Sequence, residues 1–266
     1  MDLELNGKTA IITGGSRGIG KAIARELARE GAHVAIVART PEPLQAAAAE
    51  LNRETGGHVI AIPSDTGLDE SVRSMVLRAA EAFGHLDILV NGAARVAGTG
   101  QEPRLSEITD DLFWGDMNVK VMGYLRCARE VAPYMRQQGW GRIINISGLA
   151  ARRAGSILAS TRNLAVVAVT KNLADELGPS GIAVTCIHPG AVRTERTAGT
   201  IADRAQRENI SPQEAELRLG QSSLAHRLID AREIAYVVAF LASPKSVAIN
   251  GEVIGVGGGT PGAISY

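Results

Sequence analysis

Cysteine is scarce in this chain of 266 residues: Cys127 and Cys186 are the only two. Their spacing fits neither a disulfide framework nor a thiolate metal motif, so a reducing, cytoplasmic setting is the expectation. The histidines at 33, 58, 85, 188 and 226 do not cluster as ligands would, and no metal is expected. Net charge is also lacking, because Lys plus Arg and Asp plus Glu each number 28. No overall field then draws in nucleic acid or a charged membrane. No apolar run reaches membrane-spanning length, and Met1-Asp2-Leu3-Glu4-Leu5 lacks the basic and apolar regions of a signal peptide. Repeats, low-complexity stretches and linker-like composition are missing too, so residues 1–266 are read as one soluble domain with a sizeable core.

What is present begins at Thr13-Gly14-Gly15-Ser16-Arg17-Gly18-Ile19-Gly20. Ahead of it, Thr9-Ala10-Ile11-Ile12 is a short apolar run of the kind that forms a fully buried parallel strand. Behind it, Ile19, Ile23 and Leu27 recur at helical spacing up to Gly31. Glycines at 14, 18 and 20 let the backbone turn tightly and approach a pyrophosphate, whose charge is met by free N–H groups at the helix start. In this strand, turn and helix setting the loop predicts dinucleotide binding.

Strand-like runs recur at 8–13, 33–38, 58–62, 86–91, 142–147, 183–188 and 252–256. Helical patterns near 17–30, 42–53, 69–83, 107–138, 157–178 and 232–242 separate them. The alternation predicts an α/β, doubly wound parallel sheet with ligands beyond the carboxyl ends of the strands. At the end of the second strand stands Arg39, where an acid would hold the 2′-hydroxyl of NAD. An arginine there, with Arg17, favours the 2′-phosphate of NADP, and NAD is the alternative. Asp65 follows the third strand and suits either an adenine amino group or a helix cap near Leu68. Asn91-Gly92-Ala93-Ala94 follows the fourth. Its small residues admit a cofactor's adenosine side, while Asn91 could instead tie adjacent strands together.

These features resemble the short-chain dehydrogenase/reductase family. Thr13 to Gly20 is similar to its glycine motif, Asn91 to Ala94 to its Asn-Asn-Ala-Gly segment, and Asn118 to its helix-borne asparagine. Pro189-Gly190 with Thr194 resembles its nicotinamide-binding turn, and Asn250 to Gly259 its last strand. The likeness runs from about residue 5 to 259. It implies a seven-stranded Rossmann-type sheet and a homotetramer or homodimer.

The resemblance also implies a tyrosine acid/base, a lysine four residues later that lowers its pKa and binds the nicotinamide ribose, a serine, and an asparagine that holds a relay water. In the register set by Thr170 to Leu177, Ala159 falls at the tyrosine position and Asn163 at the lysine position. No tyrosine lies between Tyr134 and Tyr236, and Ala128, Gln138 and Phe240 stand four residues after Tyr124, Tyr134 and Tyr236. Gly148 falls where the serine belongs, with Ser147 one residue early, which on a strand turns a side chain to the opposite face. Asn118 is the role clearly kept. Loss of a positioned general acid costs about 10²- to 10⁴-fold in rate. Asn163 can still hydrogen-bond a ribose hydroxyl but brings no charge.

The candidate catalytic set is therefore Asn118, Ser147, Asn163 and His188, with His188 either a replacement acid or a packed strand-end residue. Ser160 and Thr161 have hydroxyls but no evident base, and Tyr266 ends a glycine-rich tail. Arg95, Arg152 and Arg153 follow strands and suit an anionic substrate or a solvated surface. The resemblance makes residues 193–225 a substrate lid, and a charged helical excursion is the alternative. The expected function is hydride transfer between NADP(H) and a small carbonyl, imine or alkene substrate. The alternative is a dinucleotide-binding protein without turnover.

Overall fold

The computed structural model describes residues 1–94 and 103–262. Arg95 and Tyr266, both raised by the sequence, lie outside the described residues.

Strand β1 (Thr9–Thr13) is buried along its whole length. Its side chains alternate between two cores because successive strand residues point to opposite faces. Ala10 and Ile12 join a core with Ile23 and Leu27 of α1 (Gly18–Arg29), while Ile11 joins the core of the opposite layer. The chain then alternates through β2 (His33–Ala38), α2 (Pro41–Thr55), β3 (Val59–Pro63), α3 (Asp69–Phe83) and β4 (Ile88–Asn91). The second half runs through α4 (Asp110–Met117), α5 (Gly123–Gln138), β5 (Gly141–Ile146), α6 (Ile157–Leu177) and β6 (Ile182–Pro189). A short β7 (Val192–Arg193), α7 (Thr197–Glu208), α8 (Pro212–Gly220), a short β8 (Ile229–Asp230), α9 (Ala231–Ala242) and β9 (Val253–Val256) complete it.

Seven strands form one parallel sheet in the order β3-β2-β1-β4-β5-β6-β9. The order reverses between β1 and β4, so a crevice opens above their carboxyl ends. This is the α/β Rossmann-type sheet that the alternation predicts. No helix among the described residues is long and apolar enough to cross a membrane. No group of three or more His, Cys, Asp or Glu among them could hold a metal ion.

One helical pattern resolves differently. The stretch 107–138 is helical without interruption from Asp110 to Gln138, but a π-helical turn, Asn118–Met122, joins α4 to α5. Such a turn adds a residue to the helical repeat and re-aims the side chains that follow. Residues 193–225 fold into α7 and α8 around a small core, Ile201, Ala205 and Ala215, closed by Leu228 from just beyond the segment. Ion pairs Arg204–Glu208, Arg218–Glu208 and Arg218–Glu214 lace the outer surface, and the β7–β8 pair fastens the excursion back to the chain.

Candidate active site

The glycine loop crosses the loop after β4 at a distance that excludes side chains. A Cβ on Gly14, whose φ is +75°, would stand 2.8 Å from the Gly92 carbonyl oxygen. Thr13, fully buried, links the two loops: its Oγ1 accepts from the amides of Gly92 (3.0 Å) and Ala93 (3.2 Å) and donates to the Val90 carbonyl. Ile19 packs against the core, and Ser16 and Gly18 are half-buried at the crevice edge. Arg17 precedes α1 as its N-cap residue and is exposed, and its own side chain makes no capping bond to that helix. The first amides of α1 are therefore available to an anion. One already meets a carboxylate: Gly18 N–H donates to Oε2 of Glu195 at 3.0 Å. That oxygen stands in for a phosphate oxygen, so the loop's chemistry fits a nucleotide diphosphate.

Thr194 reaches the same loop, its methyl 3.7 Å from where a Gly18 Cβ would be. Its amide donates to Thr197 Oγ1 at 2.7 Å, which fixes the start of α7. Pro189 ends β6, and Gly190 passes so close to Gly257 that a Cβ on it would meet Gly257 Cα at 2.8 Å. Arg39 is exposed just beyond β2.

Asn91 is wholly buried and donates to Asn145 Oδ1 at 2.9 Å, and Asn145 donates on to Thr170 at 3.0 Å. The chain of amides ties β4, β5 and α6 together, which is the second of the two roles open to Asn91. Asp65 does not cap α3, whose N-cap is Leu68 without a side-chain bond. One Asp65 oxygen instead accepts from Gly67 N at 2.9 Å and closes the turn before that helix.

At the carboxyl ends of β5 and β6, three of the four catalytic candidates come together. Ser147 donates to the backbone carbonyl of Asn163 at 3.0 Å, so its hydroxyl faces α6. Gly148, the next residue, donates its N–H to Nδ1 of His188 at 3.3 Å. His188 is 1% exposed, and burial, followed by the nearby cations Arg152 and Lys120, pulls its pKa down to about 4. It is a neutral imidazole at physiological pH, and the bond to Nδ1 leaves the proton on Nε2. His188 can therefore offer a hydrogen bond but is not an imidazolium acid. Arg152 also donates to the Val253 carbonyl at 3.2 Å, and Arg153 is exposed.

Asn118 is placed differently. Its Nδ2 donates to the Gly67 carbonyl at 3.1 Å, while Arg126 donates to its Oδ1 at 2.8 Å and to its backbone carbonyl at 3.2 Å. Arg126 also pairs with Asp69 at 2.6 Å, so one guanidinium braces the π turn against α3.

Three residues of this region, Lys120, Asp116 and Arg162, escape the sequence reading. Lys120, on the π turn, is buried and donates to the Ser147 carbonyl (3.0 Å) and Asn163 Oδ1 (2.9 Å). Asp116 on α4 holds Arg162 on α6 through both carboxylate oxygens, at 2.7 and 2.8 Å.

Comparison with known proteins agrees with this architecture. Residues 8–205 match the family model of the short chain dehydrogenases. The chain is 37% identical over 255 residues to the short-chain reductase protein NovJ of Streptomyces niveus, covering 95% of this chain and 93% of that one. It is 35% identical over 262 residues to dehydrogenase/reductase SDR family member 4 of Oryctolagus cuniculus, covering 97% and 95%. Among solved structures, L-sorbose reductase from Gluconobacter frateurii, complexed with NADPH and L-sorbose, superposes with a TM-score of 0.92 at 31% identity, covering 99% of this chain and 100% of that one. The chain belongs to the short-chain dehydrogenase/reductase family.

Proposed function

We propose that the chain binds NADP(H) in the crevice above β1 and β4 and is an oxidoreductase with a non-standard active site. The observation that carries this reading is the Gly18 amide already holding an anionic oxygen beside a loop too tight for side chains. Gly14, Gly18 and Gly20, with Ser16, Arg17 and Ile19, would hold the diphosphate, and Arg39 the 2′-phosphate. Gly92 and Ala93 would lie under the adenosine side, Asp65 at the adenine, and Pro189, Gly190 and Thr194 at the nicotinamide. The NADPH complex of the sorbose reductase supports this choice of nucleotide.

When bound, NADP(H) supplies or accepts the hydride. The chain's own residues must then steady the substrate oxygen or nitrogen without the usual phenol, since Ala159 and Asn163 stand where the family has its tyrosine and lysine. Tyr124 does not fill that role: it is buried, donates to the Ile146 carbonyl at 2.9 Å, and burial pushes its pKa well above the ordinary phenol value. Neutral His188 is the strand-end donor that remains. A small carbonyl, imine or alkene substrate fits such a site, and Arg152 and Arg153 suit an anionic one. Exposed Trp114, Met122 and Leu164, on neighbouring parts of α4, the π turn and α6, support pairing of copies into a dimer or tetramer. A cytoplasmic, single-domain protein is the setting this implies.

The test is calorimetry with NADPH, followed by absorbance at 340 nm across a panel of carbonyl, imine and alkene substrates. Oxidation of NADPH that falls on His188→Phe supports turnover. The buried, committed Tyr124 favours a second reading, a dinucleotide-binding protein without turnover, and binding with no hydride exchange across the panel would establish it. No heat with NADPH or NADH at millimolar concentration would overturn both.

A further inference from the structure

Lys120 is 5% exposed, and its two observed hydrogen bonds both end at the candidate active site, on Ser147 O and Asn163 Oδ1. An ammonium has donors only. Asn163 must therefore turn its oxygen to Lys120 and its NH2 group the other way. That NH2 faces Gly148: a Cβ built on Gly148 would stand 3.0 Å from Asn163 Nδ2. Gly148 also borders His188 through its amide. The amide donors of Asn163 and the neutral imidazole thus border the same strand end.

We propose that Lys120 is a positioning residue of the nucleotide site, which, while it carries its proton, locks Asn163 with its amide N–H donors toward the ribose hydroxyls of the nicotinamide half. The inference rests on the reading of the chain as an NADP(H)-binding protein. It puts the site's cation on the π turn, in direct hydrogen bond with α6.

The groups facing Lys120 set when the lock holds. Burial is the largest influence, Arg162 on α6 adds repulsion, and Cys186 on β6 and Asp116 on α4 oppose it, leaving Lys120 with a pKa of about 7. Tyr124 on α5 stays protonated, and His188 on β6, with Arg152 beyond it, stays neutral in this range. Below neutrality the ammonium dictates the amide's orientation. Above it, the neutral amine can accept as well as donate, the amide is free to turn, and its ordering becomes a cost of binding.

The experiment is a fluorescence titration with NADPH from pH 6 to 8.5 on the wild type, Lys120→Met and Lys120→Gln. It is paired with NMR of the Asn163 side-chain amide in the nucleotide-free protein, assigned with Asn163→Asp. Wild-type affinity should fall about threefold to tenfold as pH rises through neutrality, the range of one neutral hydrogen bond. Lys120→Gln keeps donors without a titrating proton and should lack that step. Lys120→Met should bind about tenfold more weakly at pH 6 without losing thermal stability, which a merely structural role would not give. The Asn163 amide signals should move with the same midpoint in the wild type and stay still in Lys120→Met. Equal affinity and equal pH profiles in all three proteins overturn this inference alone, as do amide signals that do not titrate. No NADPH binding to the wild type overturns the cofactor reading itself.

Discussion

The carboxylate of Glu195 accepts the amide hydrogen of Gly18 at 3.0 Å, a bond between residues 177 positions apart. It places a negative charge at the positive end of α1, where a diphosphate would be stabilised by the same amides. Carboxylate and phosphate cannot share one N–H without strong repulsion. Glu195→Gln should therefore tighten NADPH binding, by about threefold to tenfold, measured by calorimetry at fixed salt. Unchanged affinity would mean that Glu195 swings aside at no cost.

Gly14 has φ +75° and would drive a Cβ to 2.8 Å from the Gly92 carbonyl. Backbone on backbone has little room to yield, and the left-handed conformation adds strain for any L side chain. Gly14→Ala should lower stability by roughly 2–4 kcal/mol in a urea titration and weaken nucleotide binding beyond that loss. A variant with wild-type midpoint and affinity would show that the two loops can part.

His188 gives a pH signature to the fold. Its pKa is depressed to about 4, from an ordinary value near 6.5. Between those values the unfolded chain binds a proton that the folded chain refuses, so stability rises with pH through this window and is lost as pH falls from 6.5 toward 4. The loss should be on the order of 2 kcal/mol after allowing for screening. Thermal melts at steps between pH 7 and 4 should show a shallower decline in His188→Gln. An identical slope in both proteins would assign acid sensitivity elsewhere.

Arg39 is the residue on which nucleotide choice should turn. It is exposed beyond β2, so its removal should leave the fold intact. Arg39→Ala should weaken NADPH by about tenfold or more while changing NADH little, since a phosphate–guanidinium contact is lost in one case only. Parallel Kd values for both nucleotides check it, and equal losses would move the 2′-phosphate away from Arg39.

The centre of the sheet was legible because β1, β4, β5 and β6 are buried on both faces. Thr9–Thr13 and Ile182–Pro189 read as continuous apolar or small-residue runs, and their boundaries follow the glycines and polar residues beside them. The π turn at Asn118–Met122 was not legible, because no glycine or proline lies within it and the helix runs on through it. Lys120 was hidden for a related reason. Lysine on a helix is solvated by default, and a search for a lysine four residues after each tyrosine passes over one that stands four residues before Tyr124. Lys120 stands within the π turn, and its ammonium is directed inward to Asn163. The Glu195 contact was equally silent, since nothing in the spacing of residues 18 and 195 joins them.

Thr13 satisfies the amides of Gly92 and Ala93 and the carbonyl of Val90 with a single hydroxyl. The two halves of the sheet are thereby latched at their dividing line by one side chain of β1, beside the crevice where the strand order reverses. Loss of that one hydroxyl would strip three backbone groups of a partner at once, whereas a change at His188 or Asn163, which touch neither loop through these bonds, would leave the latch closed.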